Sequence, residues 1–360
     1  KTVTVENLVS GEVFTQTYDK LVVTTGSWPI IPPIKNIDAK NIQLCKNYTQ
    51  AKEIIAKKTD ARKVVIVGGG YIGIELVEAF AESGKQVTLI DGLDRILNKY
   101  LDPEFTSILE ADLSDRGIQL ALNQSVQEFI VDQDNTVTGV MTTEMTYEAD
   151  LVILCVGFRP NTELLKGKVK MLQNGAIEVD DYMKTSDPDI FAAGDSVAVH
   201  YNPSSSQAYI PLATNAVRQG TLVGKNLLSN TVKYRGTQGT SGLYLFGYTI
   251  GSTGVTEISA PAFGLALNAT YMTDNYRPEF MPTNQTIYMK IVYEKGSNRI
   301  VGGQLMSKYD ITQSANALSL VIQNRMTLED LAYVDFFFQP HFNRPWNYLN
   351  LLAQAALNEQ

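Results

Sequence analysis

The stretch Val64-Val65-Ile66-Val67-Gly68-Gly69-Gly70-Tyr71-Ile72-Gly73 decides the fold, because an apolar run enters a glycine turn with the spacing Gly-x-Gly-x-x-Gly. Gly68 permits a tight turn after a strand, and Gly70 lets the backbone approach a diphosphate. Gly73 allows a following helix to pack closely against that strand. The N-terminus of such a helix offers free amide groups and a partial positive charge. The stretch, with Ile72 inside the turn, therefore predicts a dinucleotide-binding loop.

The residues around the turn complete a β-α-β unit. We predict a strand at Lys63–Val67, a helix at Tyr71–Ser83 and a second strand at Gln86–Asp91. Asp91 closes the second strand, where a carboxylate can accept hydrogen bonds from the hydroxyls of an adenosine ribose. Its charge disfavours a 2′-phosphate, so the sequence favours NADH over NADPH, although the nearby Arg95 leaves tolerance of NADPH open.

Outward from this unit, the sequence predicts three domains, one of which is formed by two separate segments. Thr2–Glu6 and Val13–Tyr18 alternate apolar and polar residues around a Ser-Gly turn, which predicts a hairpin. Prolines at positions 29, 32 and 33 stop regular structure and mark a crossing between domains. The predicted domains are an inserted α/β domain at 34–156, a discontinuous domain at 1–33 and 157–232, and an α+β domain at 233–360.

Apolar periodicity predicts further helices in all three predicted domains. They are Gln50–Lys58, Pro103–Arg116, Leu212–Leu228, Asp310–Gln323 and Trp346–Leu357. Strands alternate with helices in the inserted domain, whereas antiparallel strands precede the last two helices.

Composition excludes several classes of function. The 360 residues carry a formal net charge of -8 and a pI near 5.0, whereas a protein that binds nucleic acid normally shows a basic face. No apolar run reaches the ~18 residues needed to cross a bilayer, which favours a cytoplasmic protein without a membrane partner. Cys45 and Cys155 lie far apart in the sequence and only two histidines are present. Neither a disulfide framework nor a zinc or other metal site is therefore expected.

Two further segments resemble those of a known flavoprotein family. Thr24-Thr25-Gly26-Ser27-Trp28-Pro29, and Thr185 to Asp195 with its final Gly-Asp, are similar to the FAD motifs of the pyridine nucleotide-disulfide oxidoreductases. Asp195 can accept hydrogen bonds from ribitol hydroxyls, and the helix after Leu212-Ala213-Thr214 directs its positive end at the pyrimidine edge of a flavin. The resemblance covers essentially the whole chain. It implies an α/β fold with two Rossmann-like dinucleotide-binding domains, of which the FAD domain is incomplete, and a C-terminal α+β dimerisation domain.

Three segments narrow the resemblance to the branch of NADH oxidases and NADH peroxidases. They are Gly70 to Glu75, Val156 to Asn161 and Phe338 to Phe342. The water-forming NADH oxidases are the best match. The resemblance implies that Tyr71 covers the flavin until NADH displaces it, and that Glu75 lies beside the nicotinamide.

The same resemblance implies contacts for four other residues. Tyr100 would contact the adenine and Gly157 the carboxamide of NADH. Two weaker matches place Lys46 near FAD and Gly242 near NAD.

In this family, a first β-α-β unit with its own FAD loop and a redox-active cysteine would precede Lys1, so we expect that this segment is missing from the sequence. Cys155 lies in an apolar strand where burial raises the pKa of a thiol, and Cys45 has only Lys46 beside it as an activator. Neither cysteine is therefore a good substitute.

The implied function is that of a homodimeric, FAD-dependent NADH oxidase, which transfers hydride from NADH to flavin and passes the electrons to O2 to give water. NADH peroxidase and coenzyme A-disulfide reductase remain open, because the residues that separate them surround the expected cysteine. A non-catalytic NAD-binding fragment is the alternative of a different class.

Overall fold

The computed structural model describes residues 1–359, which form 22 strands and seven α-helices. The strands are β1 Thr2–Glu6, β2 Val13–Thr17, β3 Leu21–Val23, β4 Ser27–Pro29, β5 Ile42–Leu44, β6 Lys63–Val67, β7 Gln86–Ile90, β8 Gln119–Ala121, β9 Val126–Val131, β10 Val137–Thr142, β11 Thr146–Glu148, β12 Leu151–Leu154, β13 Phe158–Pro160, β14 Ile177–Glu178, β15 Ile190–Ala192, β16 Val197–Tyr201, β17 Ser206–Ala208, β18 Ser241–Leu245, β19 Tyr248–Gly254, β20 Leu267–Asn275, β21 Thr286–Glu294 and β22 Ile300–Ser307. The helices are α1 Tyr48–Lys58, α2 Tyr71–Ala81, α3 Pro103–Asp115, α4 Ala213–Asn226, α5 Thr312–Gln323, α6 Leu328–Ala332 and α7 Tyr348–Asn358.

The chain folds into two compact units. The first contains residues 1–28, 159–201 and 205–237, and the second contains residues 29–158, 202–204 and 238–360. The second unit holds nearly all of the inserted domain and of the C-terminal domain expected from the sequence. The individual domain boundaries remain predictions.

A five-stranded parallel sheet with the order β5-β12-β6-β7-β8 forms the first half of the second unit. Every residue of β12 is buried, as expected for a parallel strand that is covered on both faces. α2 and α3 cover one face, where Ile74 and Leu109 pack with Ile66. The antiparallel sheet β11-β10-β9 packs on the other face through Phe129. The β6-α2-β7 unit predicted from the glycine turn is confirmed.

A five-stranded antiparallel sheet with the order β18-β19-β22-β21-β20 forms the other half of this unit. α5 and α7 contribute Leu318 and Leu352 to the apolar core on one face. Leu243 and Ile250 belong instead to the apolar core around α2. The C-terminal sheet and the nucleotide-binding helix therefore share one core.

The first unit is built from short strands and α4. β3 and β15 pair in parallel, with Val23 opposite Ala192, and β14-β16-β17 form a separate sheet. Phe191, Val197 and Val223 lie in the core of this unit. β1 and β2 form the antiparallel hairpin that the sequence predicts.

Several helix ends differ from the sequence-based prediction. α1 begins at Tyr48 and not at Gln50, because Asn47 and Gln50 form a capping box. α5 begins at Thr312, since the Asp310 carboxylate accepts a hydrogen bond from the Thr312 amide at 2.9 Å. α2, α3 and α4 end one or two residues early, and α7 begins two residues late. α6 was missed because five residues are too few to show periodicity. No helix within residues 1–359 is long and apolar enough to cross a membrane.

A buried lysine joins the start of α3 to the C-terminal sheet. The Lys290 side chain is 3% exposed, and its Nζ lies 2.8 Å from carboxylate oxygens of Glu104 and Glu257 and 3.4 Å from Asp102 Oδ2. Asp102 is fully buried and also accepts a hydrogen bond from Gln304 Nε2 at 2.6 Å. Removing one partner of such a cluster leaves a buried charge without compensation.

We predict that Lys290→Met lowers the free energy of unfolding by about 3 kcal/mol, because Asp102 then stays buried without its counter-ion. Urea unfolding followed by intrinsic fluorescence measures this change. The matched control is Lys35→Met, whose lysine is 68% exposed and pairs with Glu128 at 2.7 Å; its loss should cost less than about 1 kcal/mol. Equal effects of the two substitutions would contradict the role assigned to the buried cluster.

Candidate functional site

The turn between β6 and α2 leaves no room for a side chain at two positions. Gly68 has φ 111°, and a Cβ there would lie 2.4 Å from the carbonyl oxygen of Cys155. A Cβ on Gly73 would lie 1.9 Å from the carbonyl oxygen of Gly68. α2 therefore lies directly against the end of β6, and this contact determines where the N-terminus of the helix points.

The N-terminus of α2 offers amide groups to an anionic ligand. Gly70 is the N-cap residue, and no side chain caps the helix there. Apart from its chain neighbours Gly69 and Tyr71, no residue lies within 4 Å of where a Cβ at Gly70 would stand. Free amides and the positive end of the helix suit a diphosphate.

The Asp91 carboxylate lies beside this turn. Its Oδ2 accepts a hydrogen bond from the Gly69 amide at 2.5 Å, and its Oδ1 accepts one from the Leu93 amide at 2.8 Å. A carboxylate has about four acceptor sites, so both oxygens can still bind ribose hydroxyls. Arg95 is the residue that left the binding of NADPH open in the sequence analysis. Its Nη1 lies 2.9 Å from Asp94 Oδ2, so its charge is already paired.

Two tyrosines stack beside the helix start. The ring centroids of Tyr71 and Tyr100 are 3.9 Å apart, with 28° between the ring planes. Tyr71 Oη lies 2.7 Å from Ser241 Oγ, and Ser252 Oγ donates a hydrogen bond to the Tyr100 carbonyl oxygen at 2.7 Å. Burial raises the pKa of both phenols. Both tyrosines are therefore neutral at physiological pH.

The two cysteines, distant in the sequence, lie next to each other. β5 and β12 pair in parallel with Leu44 opposite Leu154, and Cys45 and Cys155 follow directly at the same edge of the sheet. Burial raises the pKa of the Cys155 thiol to about 12. Burial and the Glu75 carboxylate raise the pKa of Cys45. Both thiols therefore stay protonated and are weak nucleophiles at neutral pH.

Glu75 lies on the second turn of α2. Partial desolvation raises the pKa of its carboxyl group, and the negative charge of Glu78 adds to this effect. A carboxyl group with a raised pKa at the edge of a nucleotide site is a candidate functional group.

In the first unit, the end of β3 and the segment after β15 provide a second group of polar residues. Ser27 Oγ donates a hydrogen bond to Asp195 Oδ2 at 2.9 Å, and Tyr209 Oη donates one to the Asp195 carbonyl oxygen at 3.0 Å. Thr24 and Thr25 are exposed, and the Thr25 hydroxyl, which donates a hydrogen bond to the Asn161 carbonyl oxygen, can still accept one. A ligand with several hydroxyl groups can bind such exposed hydroxyls and a carboxylate.

α4 begins in the same unit without a side-chain cap. Leu212 is its N-cap residue and makes no capping hydrogen bond. Ala213 and Thr214, in the first turn, are exposed. The amides of this turn are available to electron-rich atoms of a ligand.

Comparison with known families places these two groups of residues in one type of protein. The profile of the pyridine nucleotide-disulphide oxidoreductases matches residues 1–220, and the profile of the dimerisation domain of that family matches residues 240–348.

The chain belongs to this family.

Individual relatives of this oxidoreductase family are similar over nearly the whole chain. An NADH oxidase of Enterococcus faecalis is 71% identical over 357 residues, which cover 99% of this chain and 80% of the relative. The structure of a water-forming NADH oxidase from Lactobacillus brevis bound to NADH has a TM-score of 0.97 and 55% identity, and the match covers 100% of this chain and 79% of that one. An engineered NADPH oxidase derived from it, bound to NADPH, also has a TM-score of 0.97, at 54% identity and with 100% and 80% coverage. These findings confirm the predicted fold class and the predicted NADH oxidase branch.

Three residues assigned by resemblance lie in the second unit. The Lys46 ammonium group is 4.4 Å from the centroid of the Phe158 ring. Gly157 follows β12 with φ 110°, and Gly242 lies in β18 opposite Gly251. Their contacts with FAD or NAD in this oxidoreductase remain predictions.

Sequence reasoning missed four residues that hold the assigned ones in place. Ser27 and Tyr209 bind Asp195, and Ser241 and Ser252 bind the two stacked tyrosines. Ser27 lies within a quoted motif, and Ser241 precedes Gly242. No local pattern marks Ser252 or Tyr209, because serine and tyrosine are common in strands and loops.

We predict that Asp91→Ala weakens the binding of NADH by about 10- to 100-fold, because a charge-assisted hydrogen bond is lost, and that it lowers the preference for NADH over NADPH. Titration of each nucleotide, followed by NADH fluorescence, measures both effects. The control is Asp94→Ala, which removes the same charge three residues away and should leave the preference unchanged. Tighter binding of NADPH than of NADH by the unaltered protein would show that Asp91 does not select the nucleotide.

Proposed function

We propose that this chain acts as a water-forming NADH oxidase, in which bound FAD accepts electrons from NADH and delivers them to O2. The balanced reaction oxidises two NADH, consumes two protons and reduces one O2 to two water molecules. The site beside Gly68–Gly73 carries this proposal, because it combines an uncapped helix N-terminus with the Asp91 carboxylate. The high identity to an NADH oxidase and the similarity to an NADH-bound structure support it.

The residues of the second unit bind and orient NADH in this proposal. The amides around Gly70 bind the diphosphate, and Asp91 binds the adenosine ribose. Tyr100 contacts the adenine and Gly157 the carboxamide. Glu75 lies beside the nicotinamide, and its raised pKa reflects the low polarity of that place.

The residues of the first unit fit part of an FAD site. The Asp195 carboxylate, oriented by Ser27, would accept hydrogen bonds from ribitol hydroxyls. Thr25 and Gly26 would lie along the cofactor, where a Cβ at Gly26 would meet no atom within 4 Å. The uncapped start of α4 at Thr214 would offer amides to the pyrimidine edge of the flavin.

The stoichiometry of the FAD-loaded enzyme tests the proposed function. We predict that it consumes two NADH per O2 and accumulates no hydrogen peroxide, as measured with an oxygen electrode and a peroxide assay. The variant Cys45→Ala/Cys155→Ala should keep this stoichiometry, because both thiols are protonated and neither takes the role of the redox-active cysteine expected in this family. One NADH per O2 with accumulating peroxide would contradict the proposal. Oxidation that requires added peroxide would indicate a peroxidase, and binding of NADH without bound flavin would indicate a non-catalytic module.

A patch of exposed aromatic side chains fits a homodimer. It consists of Tyr333, Phe337, Phe338, Phe342 and Trp346, with exposed fractions of 70%, 69%, 47%, 54% and 48%. Phe337 and Phe342 meet edge to face with ring centroids 6.3 Å apart. Clustered aromatic residues on a surface are typical of a protein interface. Because the patch lies within the segment that matches the dimerisation domain, we propose that a second copy of this chain covers it.

We predict that Phe337→Asp/Phe342→Asp converts the dimer into a monomer, because four carboxylates would be buried in one two-fold interface. Light scattering at micromolar concentration measures the mass. Leu8→Asp/Val9→Asp is the control, since these residues are 91% and 99% exposed at the tip of the β1–β2 hairpin. A dimer that survives the first pair of substitutions would place the interface elsewhere.

A further inference from the structure

Residues 91–97 close over the middle of the glycine turn. The Gly69 amide donates a hydrogen bond to Asp91 Oδ2 at 2.5 Å, and the Gly69 carbonyl oxygen accepts one from the Leu97 amide at 2.7 Å. A Cβ on Gly69 would lie 3.5 Å from the Ile96 Cα, and Ile96 is fully buried. Both backbone polar groups of Gly69 are thus bound by this one segment.

Leu97 adopts a backbone conformation that needs support from its neighbours. Its φ is 50°, in the left-handed region that residues with a Cβ rarely adopt. Such a conformation persists only where the surrounding structure determines it. The Leu97 carbonyl oxygen accepts hydrogen bonds from the amides of Tyr100 at 2.8 Å and Leu101 at 3.1 Å. Because φ of Leu97 also depends on the preceding peptide, the position of Ile96 contributes to this arrangement.

A carboxylate on α3 holds Ile96. The Ile96 amide donates a hydrogen bond to Glu110 Oε1 at 3.0 Å. Glu110 is half-buried, and its neighbours Leu109 and Leu113 on the same helix lie in the core around α2. A buried amide that loses its acceptor costs free energy, so the bond favours one position of the segment. Glu110 therefore ties the segment that closes the turn to a helix that the core already fixes.

We propose that Glu110 is a positioning residue for the adenosine half of NADH, because it fixes the segment that orients Asp91 and closes the turn at Gly69. This role rests on the nucleotide site proposed above. Glu110 acts through the loop, so it affects binding and not the chemical step. A ligand whose binding-competent protein state is only partly populated shows a weaker apparent affinity, by the same fraction.

The test uses the FAD-loaded enzyme and two probes, NADH in turnover and ADP-ribose, which lacks the nicotinamide and cannot be oxidised by the flavin. Glu110→Ala should raise the Kd for ADP-ribose about fivefold, the factor that one ordinary hydrogen bond is worth, as measured by isothermal titration calorimetry. The KM for NADH should rise by a similar factor, and kcat should change by less than about twofold. Glu110→Gln keeps an acceptor oxygen for the Ile96 amide and should restore most of the affinity.

The proposed route through Asp91 is tested by a double variant. In the Asp91→Ala background, Glu110→Ala should weaken the binding of ADP-ribose by less than it does in the unaltered protein, because the segment then has no carboxylate to orient. Additive effects of the two substitutions would contradict this route.

The control is Asp112→Ala, which removes another carboxylate from α3. Asp112 Oδ2 accepts a hydrogen bond from Arg116 Nε at 2.7 Å, so its loss should change neither KM nor Kd. An unchanged Kd for ADP-ribose in Glu110→Ala would overturn the proposal, and together with a lower melting temperature it would show a merely structural carboxylate. If the unaltered enzyme bound ADP-ribose but did not oxidise NADH, the proposed oxidase activity would fail, while the Kd values would still decide the role of Glu110.

Discussion

The second unit depends on the contact between the end of β6 and the start of α2. With 1.9 Å between a Cβ on Gly73 and the Gly68 carbonyl oxygen, no residue with a side chain fits without moving the helix. The contact sets the direction of the amides around Gly70 and places Tyr71 and Glu75 on the first two turns of the same helix. The far side of α2 contributes to the core that it shares with the C-terminal sheet. The proposed nucleotide site and the core of the unit therefore use the same helix, and a shift of α2 would disturb both.

The C-terminal sheet lies in the region that matches a dimerisation domain, and it also contacts the helix at which the proposed nucleotide site begins. Apolar side chains such as Leu243 anchor it to the core around α2, and the Lys290 cluster attaches it to the start of α3. Between these two anchors, Ser241 and Ser252 meet the stacked tyrosines. Hydrophobic burial gives this contact most of its free energy, whereas the hydroxyls and charges, which must be paired when buried, determine its register. A change in the sheet can thus shift α2 and the stacked tyrosines without touching the glycine turn.

Local features of the sequence predicted the parts of the site that local geometry creates. The glycine turn and Asp91 belong to one β-α-β unit of about thirty residues, whose spacing is a property of the fold. The contacts of Tyr71 could not be predicted in this way, because Ser241 lies 170 residues further along the chain. The adjacency of Cys45 and Cys155 was equally hidden, since it follows from the strand order β5-β12-β6, in which a late strand inserts between two early ones. Residue types indicate which groups a site needs, but the sheet order decides which of them meet.

The proposed role of Asp91 links nucleotide preference to the stability of the turn. Its Oδ2 accepts a hydrogen bond from the Gly69 amide at 2.5 Å, so the carboxylate that would bind a ribose and repel a 2′-phosphate also closes the loop proposed to bind the diphosphate. Removing the charge alone would relieve the repulsion but would leave the Gly69 amide without its acceptor. It would also supply no cation for an additional phosphate, because Arg95 is already paired with Asp94. A change of preference to NADPH therefore needs at least two further changes, a new acceptor or altered turn for Gly69 and a free arginine or lysine beside position 91. Selectivity at this site therefore depends on the whole loop. A substitution at Asp91 alone should lower the affinity for NADH more than it raises the affinity for NADPH.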